Sequence, residues 1–119
     1  MTKLKFTFLN DEEILIDEEL EYKFEDDYYT FDYDKSSFKF KFGDEVHFVK
    51  ETNEDVFQIM YSSSKKECLY TLKGENVTFE IGLLQFECEI MDKKYIIKYN
   101  IESDVEDDVY STKTIIITI

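Results

Sequence analysis

Apolar and polar residues alternate along most of this chain. Leu4, Phe6 and Phe8 are interleaved with Lys3, Lys5 and Thr7, and Phe38, Phe40 and Phe42 with Lys39 and Lys41. A period of two belongs to strands with one face buried. The same parity runs through Ile14, Ile16, Leu20, Tyr22 and Phe24, with Glu18 interrupting it, and through Tyr29, Phe31 and Tyr33. It returns in Val46 and Phe48, in Phe57, Ile59 and Tyr61, and in Cys68, Tyr70 and Leu72. Val77 to Leu83, Leu84 to Ile90, Tyr95 to Ile101 and Ile115 to Ile119 complete the series. No window carries a 3.6-residue period, and alanine, the best helix former, is absent.

Short turn-like pieces separate these runs: Asn10-Asp11, Asp26-Asp27, Asp34-Lys35-Ser36, Gly43-Asp44, Asn53-Glu54-Asp55, Ser62-Ser63-Ser64, Lys73 to Asn76, Asp92-Lys93 and Ser103 to Asp108. The pattern predicts an all-β chain, one antiparallel domain over residues 1–119 with about nine to eleven strands. Short connections suit an up-and-down meander, and closing the meander into a single barrel removes its exposed edges. A barrel of about eight to ten strands leaves room for a small ligand. Abundant aromatic side chains would equally fill that space, so a pocket and a packed interior both stand. The candidate lining residues are Phe38, Phe40, Phe42, Phe57, Tyr70, Phe79, Phe86 and Tyr99.

The hairpin from Ser37 to Lys50 carries His47, the only histidine. A two-residue Gly43-Asp44 turn would pair Phe40 with His47 and turn the imidazole onto the phenylalanine face. A three-residue loop over 43–45 pairs Phe40 with Phe48 and turns it outward. Glycine in first position suits the shorter turn. A one-residue slip exchanges the two faces of a strand, so the buried face normally sets the register. The hydrophobic pattern therefore predicts the longer loop and an outward His47.

The length of 119 residues fits one domain, and 43% apolar with 17% aromatic content is too hydrophobic for a disordered chain. Net charge is −14, and all basic residues are lysine. Residues 1–34 hold 12 acids against three lysines and so contribute −9 of it. That field has the wrong sign for nucleic acid or for an anionic membrane surface. It suits either a solubilising surface or a face that docks a basic protein. No run approaches the length of a membrane span, and no leader pattern opens the chain, so a cytoplasmic protein is expected. Two cysteines, Cys68 and Cys88, fit a reducing compartment. The absence of Ala, Pro and Arg beside abundant Lys, Ile, Phe and Tyr fits an AT-rich bacterial coding sequence.

Candidate chemistry is sparse. One histidine and two separated cysteines make no zinc site, and no cofactor is implied. A Cys–His nucleophile pair is formally open, but both thiols share the parity of apolar neighbours, which predicts buried, inert groups. Asp32-Tyr33-Asp34 resembles the start of a calcium loop, yet no glycine stands at its sixth position. Glu102, Asp104, Glu106, Asp107 and Asp108 read as a solvated hairpin loop. Three glycines, Gly43, Gly74 and Gly82, make no phosphate loop. Tyrosines on the apolar parity bring hydroxyls that need partners when buried.

A further set of residues carries a resemblance. Phe57-Gln58-Ile59-Met60-Tyr61 is followed by Leu72-Lys73-Gly74, by Val77-Thr78-Phe79-Glu80-Ile81-Gly82-Leu83-Leu84, by Tyr95 to Ile101 and by the terminal Thr114 to Ile119. These segments resemble the YwiB-like family of small bacterial proteins. The resemblance implies a calycin-like, lipocalin-type β-barrel and carries no catalytic or ligand residues with it. The chain departs from the family after Ile59-Met60, where Tyr61-Ser62-Ser63-Ser64 stands in place of an arginine and a glycine. The leading expectation is a non-enzymatic protein binding a small apolar ligand in the barrel. The alternative is an interaction module whose acidic face, from Asp11 to Asp34, meets a basic partner.

Overall fold

A computed structural model describes residues 2–102 and 112–119. Every regular element among them is a strand, and all pairings are antiparallel. The strands are β1 (Lys3–Asn10), β2 (Glu13–Glu21), β3 (Lys23–Glu25), β4 (Tyr28–Tyr33), β5 (Ser36–Lys41), β6 (Val46–Glu51), β7 (Asp55–Tyr61), β8 (Lys66–Leu72), β9 (Val77–Ile81), β10 (Leu83–Met91), β11 (Lys94–Ile101) and β12 (Lys113–Thr118). They hydrogen-bond into two sheets, a larger one ordered β3-β4-β5-β6-β7-β8-β9 and a smaller one ordered β10-β11-β12-β1-β2. The sheets coincide with two compact units, residues 22–82 and residues 1–21 with 83–119.

Twelve strands stand among the described residues, where about nine to eleven are expected from the pattern. The long parity from Ile14 to Phe24, interrupted by Glu18, divides at Tyr22 into β2 and β3, which belong to different sheets. A period of two is continuous through such a joint, because one extended residue preserves the alternation.

In the larger sheet each strand follows its predecessor in a meander, and the registers bring one residue from every strand into line. Phe24 pairs with Tyr29, Tyr29 with Phe40, Phe40 with Phe48, Phe48 with Ile59, Ile59 with Cys68 and Cys68 with Ile81. All seven are apolar or aromatic, so one face of the sheet carries a continuous apolar row. Phe40, Phe48, Ile59 and Cys68 in its middle are fully buried, and Phe31, Phe38 and Val46 beside it are buried.

The smaller sheet repeats the device. Cys88, Ile97, Ile115, Phe8 and Ile16 form one row, and Ile90, Tyr95, Ile117 and Phe6 a second that ends on Glu18. Leu4, Phe6, Ile97, Tyr99, Ile115 and Ile117 are its buried members. Both outer strands are irregular. The register slips between Phe8 and Leu9 leave Leu15 of β2 without an opposite residue, and a slip on β10 does the same to Leu84. Such bulges twist an edge away from further pairing. Both extra leucines are exposed, at 51% and 48%.

The hairpin turns follow their composition. Asp26-Asp27 joins paired Glu25 and Tyr28, and Asp34-Lys35 joins paired Tyr33 and Ser36. All four loop residues have positive φ, the two-residue type I′ geometry whose twist matches that of the strands. Aspartate tolerates this region because its short side chain bonds locally, whereas Lys35, at φ 66°, holds it against the clash of its Cβ. Replacing Lys35 by glycine, Lys35→Gly, is expected to raise the free energy of unfolding by about 0.5–1 kcal/mol. Urea unfolding checks this; a loss of stability would show that Lys35 is not held by the turn in the left-handed region.

Candidate functional site

The aromatic face of the larger sheet gathers most of the predicted lining residues. Phe38, Phe40 and Phe42 come from β5 and its end, Phe57 from β7, Tyr70 from β8 and Phe79 from β9. Pairing registers put five of the six on one face, where Phe57 opposes Tyr70 and Tyr70 opposes Phe79 in the row next to that of Phe40, and Phe42 joins them by stacking on Phe40. Phe86 and Tyr99 lie elsewhere, directly opposite one another on β10 and β11 of the smaller sheet.

Ring geometry divides this face into a packed part and an open part. Phe31, Phe38, Phe40 and Phe48 lie nearly parallel, with Phe40 centred 4.7 Å from Phe48, 5.6 Å from Phe31 and 6.4 Å from Phe38. Rings at this spacing occupy each other's available volume, and each pair adds about 0.5–1.5 kcal/mol beyond area burial. The series continues outward. Phe42 lies 6.0 Å from Phe40, Tyr29 lies 6.4 Å from Phe42, and Tyr29 also meets Phe24 at 4.6 Å and Tyr22 at 5.7 Å. Phe42, Tyr29 and Tyr22 are half-buried, and Phe24 is 55% exposed. Phe79, at the opposite edge of the sheet, is 49% exposed. Phe40, at 0%, is packing, whereas Tyr22, Phe24, Tyr29 and Phe42 present ring surface at an accessible end.

His47 lies on the other face. Lys41 pairs with His47 and Phe40 with Phe48, the register of the longer loop, and Gly43 takes φ 148°, which glycine alone adopts easily. The imidazole is half-buried and held at both nitrogens. Tyr28 Oη lies 2.7 Å from Nδ1, and Gln58 Oε1 lies 3.1 Å from Nε2. With an amide oxygen at Nε2, that nitrogen donates, and Nδ1 accepts the hydroxyl of Tyr28. Lys39 Nζ stands 4.9 Å from the centre of the Tyr28 ring. Outward His47 is thus a fixed polar junction across β4, β6 and β7 and not a loose surface residue. Tyr28 and Gln58 are the partners that sequence reasoning missed. The available signal was Tyr28's parity, opposite to that of Tyr29 and Phe31, combined with the Phe40–Phe48 register.

This junction presents no nucleophile. Cys68 stands in the row of Phe40, on the opposite face of the same sheet from His47, which removes a Cys68–His47 pair. Burial pushes the Cys68 thiol up to about 12, and burial followed by the charge of Glu89 raises that of Cys88. Both thiols are free. Among the described residues no group of three or more His, Cys, Asp or Glu is placed to hold a metal ion. Asp32 and Asp34 belong to β4 and its tight turn. In the predicted acidic loop, Asp104, Glu106, Asp107 and Asp108 lie outside the described residues. No helix among the described residues is long and apolar enough to cross a membrane.

A second polar cluster closes the β6–β7 hairpin. Thr52 Oγ1 donates to Asp55 Oδ1 at 2.6 Å, and Tyr70 Oη donates to Asp55 Oδ2 at 2.7 Å. The backbone amides of Glu54 and Asp55 donate to Thr52 Oγ1, both at 3.1 Å. These bonds give the candidate Tyr70 a structural partner for its hydroxyl. They hold the Asp55 carboxyl below its ordinary range, through Thr52 first and then Tyr70, and raise the Tyr70 phenol.

Comparison with known proteins adds no relative: no family model matches the chain, and no curated protein or solved structure matches it significantly.

The Asp55 cluster predicts an acid dependence. Its carboxyl binds a proton less readily folded than unfolded, so its contribution is fully present above the unfolded value of about 4. The contribution disappears as pH falls through the lower folded value. Asp55→Asn is expected to lower stability at neutral pH by about 1–2 kcal/mol. It should also flatten the loss of stability on acidification, measured by urea unfolding across that range. An acid limb identical to that of the parent would contradict the assignment.

Proposed function

We propose that the chain is a non-enzymatic binding protein that takes a small, flat, apolar ligand at the open aromatic end formed by Tyr22, Phe24, Tyr29 and Phe42. The observation that carries this reading is the gradient along one apolar row, from Phe40 at 0% exposure to Phe24 at 55%. An exposed phenylalanine tilted against a tyrosine and continuous with a packed aromatic floor is a ready surface for another ring. In this reading Phe38 and Phe40 form the floor, and Phe57, Tyr70 and Phe79 extend the apolar face toward the far edge.

The reading includes a single calycin-like barrel of the YwiB-like kind. Support comes from connectivity. Tyr22 alone separates β2 from β3, and Gly82 alone separates β9 from β10. One residue is too short for a reversing turn, and in this reading β2 with β3, and β9 with β10, each count as one continuous strand. In this reading the meander closes into one barrel through those two strands. A meander closed in this way has the up-and-down topology of ligand-carrying barrels. Two free thiols suit a cytoplasmic setting.

Titration with 1-naphthol, followed by its fluorescence and by amide shifts, tests the ligand site. Binding is expected to perturb Tyr22, Phe24, Tyr29 and Phe42, and Phe24→Ser is expected to weaken it about tenfold while leaving unfolding little changed. Equal affinity in Phe24→Ser, or shifts confined to other strands, would overturn the reading.

A further inference from the structure

We propose that β2 is a docking edge for an extended, lysine-bearing segment of a partner protein, which adds to the smaller sheet as a further antiparallel strand. The smaller sheet ends at β2. Among the described residues no strand pairs with its outer side; the barrel reading shares only the β3 part with β4, which pairs with Lys23–Glu25 and with no residue of β2, so a row of backbone donors and acceptors is left along β2. All the large apolar side chains found exposed lie on outer strands of the two sheets, Ile14 and Leu15 of β2 among them.

Charge selects the occupant. Between Glu13 and Glu21 the strand carries Glu13, Asp17, Glu18, Glu19 and Glu21 and no lysine. Only Asp17 has an ion pair among the described residues, with Lys5 at 3.5 Å. A second copy of β2 would set carboxylates against carboxylates on a chain of net charge −14, which disfavours pairing of like edges. A lysine-rich strand gains what a second copy loses.

The register specifies the order of residues in the partner. The apolar rows of the smaller sheet reach β2 at Ile16, Glu18 and Leu20, while Asp17, Glu19 and Glu21 lie on the alternate face. Opposite Ile16 and Leu20 a partner needs apolar residues. Opposite Asp17, Glu18, Glu19 and Glu21 it needs lysines. An antiparallel segment therefore reads, from its N-terminus, lysine, apolar, lysine, lysine, lysine, apolar. Glu18 is the discriminating position, because it interrupts a row running through Ile90, Tyr95, Ile117 and Phe6. An uninterrupted apolar strand placed there would bury a carboxylate without a partner, whereas a lysine pairs with it. The edge belongs to the smaller sheet, and its occupancy does not depend on ligand binding at the aromatic end.

The test is titration of the full chain with the peptide acetyl-Lys-Val-Lys-Lys-Lys-Val-amide, read by amide shifts at low and high salt. The control is the same peptide N-methylated at alternate residues, which keeps the charge and removes strand-pairing donors. Expected are shifts concentrated on Glu13–Glu21, affinity falling with salt, and binding at least about tenfold weaker for the N-methylated peptide and for Glu18→Lys. Equal binding of the two peptides would reduce the edge to a diffuse charge effect and overturn the proposal. So would shifts lying on other strands, no binding at low salt, or a dimer of this chain that strengthens with salt and excludes the peptide.

Discussion

Side chains alternate along a strand with a period of two, and the pairing of Phe40 with Phe48 determines which half of the larger sheet's residues face inward. With that pair fixed, the meander carries the apolar row from Phe24 to Ile81 and places Lys39, Lys41, His47, Gln58 and Met60 on the other face. A slip of one residue would bury His47 and expose Phe48. Phe48 is buried beside the nearly parallel rings of Phe38 and Phe40, and each fully buried phenylalanine contributes about 1.5–3 kcal/mol. The aromatic floor, the open aromatic end and the polar junction on the outer face all follow from this pairing.

The second constraint is the cost of sheet edges. The smaller sheet limits them with an unmatched leucine on each outer strand and with carboxylates along β2. Bulges and inward charges discourage indiscriminate pairing. They also make an edge selective, because a strand that satisfies Glu18 with a lysine escapes the penalty that excludes others. In the proposed docking, the acidic charge of β2 acts at defined register positions.

Much of this was legible in the sequence, for physical reasons that differ by element. Phe38, Phe40 and Phe42 alternate with lysines, and that pattern outweighs the preference of Gly43-Asp44 for a two-residue turn. Asp26-Asp27 and Asp34-Lys35 stand as turns because aspartate tolerates positive φ. The break at Tyr22 was not legible, because one extended residue between β2 and β3 preserves the alternation. Nor was the distinction between Phe40 as floor and Phe24 as rim, since hydrophobicity is equal at both and only position in the sheet separates them. His47's outward face could be read from the pattern, but its clamping by Tyr28 and Gln58 requires three strands to be in register.

The register itself is open to direct measurement through cross-strand proton NOEs in the β5–β6 hairpin. The account predicts backbone NOEs linking Phe40 with Phe48 and Lys41 with His47. NOEs linking Phe40 with His47 and Phe42 with Glu45 would establish the two-residue Gly43-Asp44 turn. That result would exchange the faces of β6, turn Phe48 away from Phe40 and contradict the apolar row on which the rest of the structure depends.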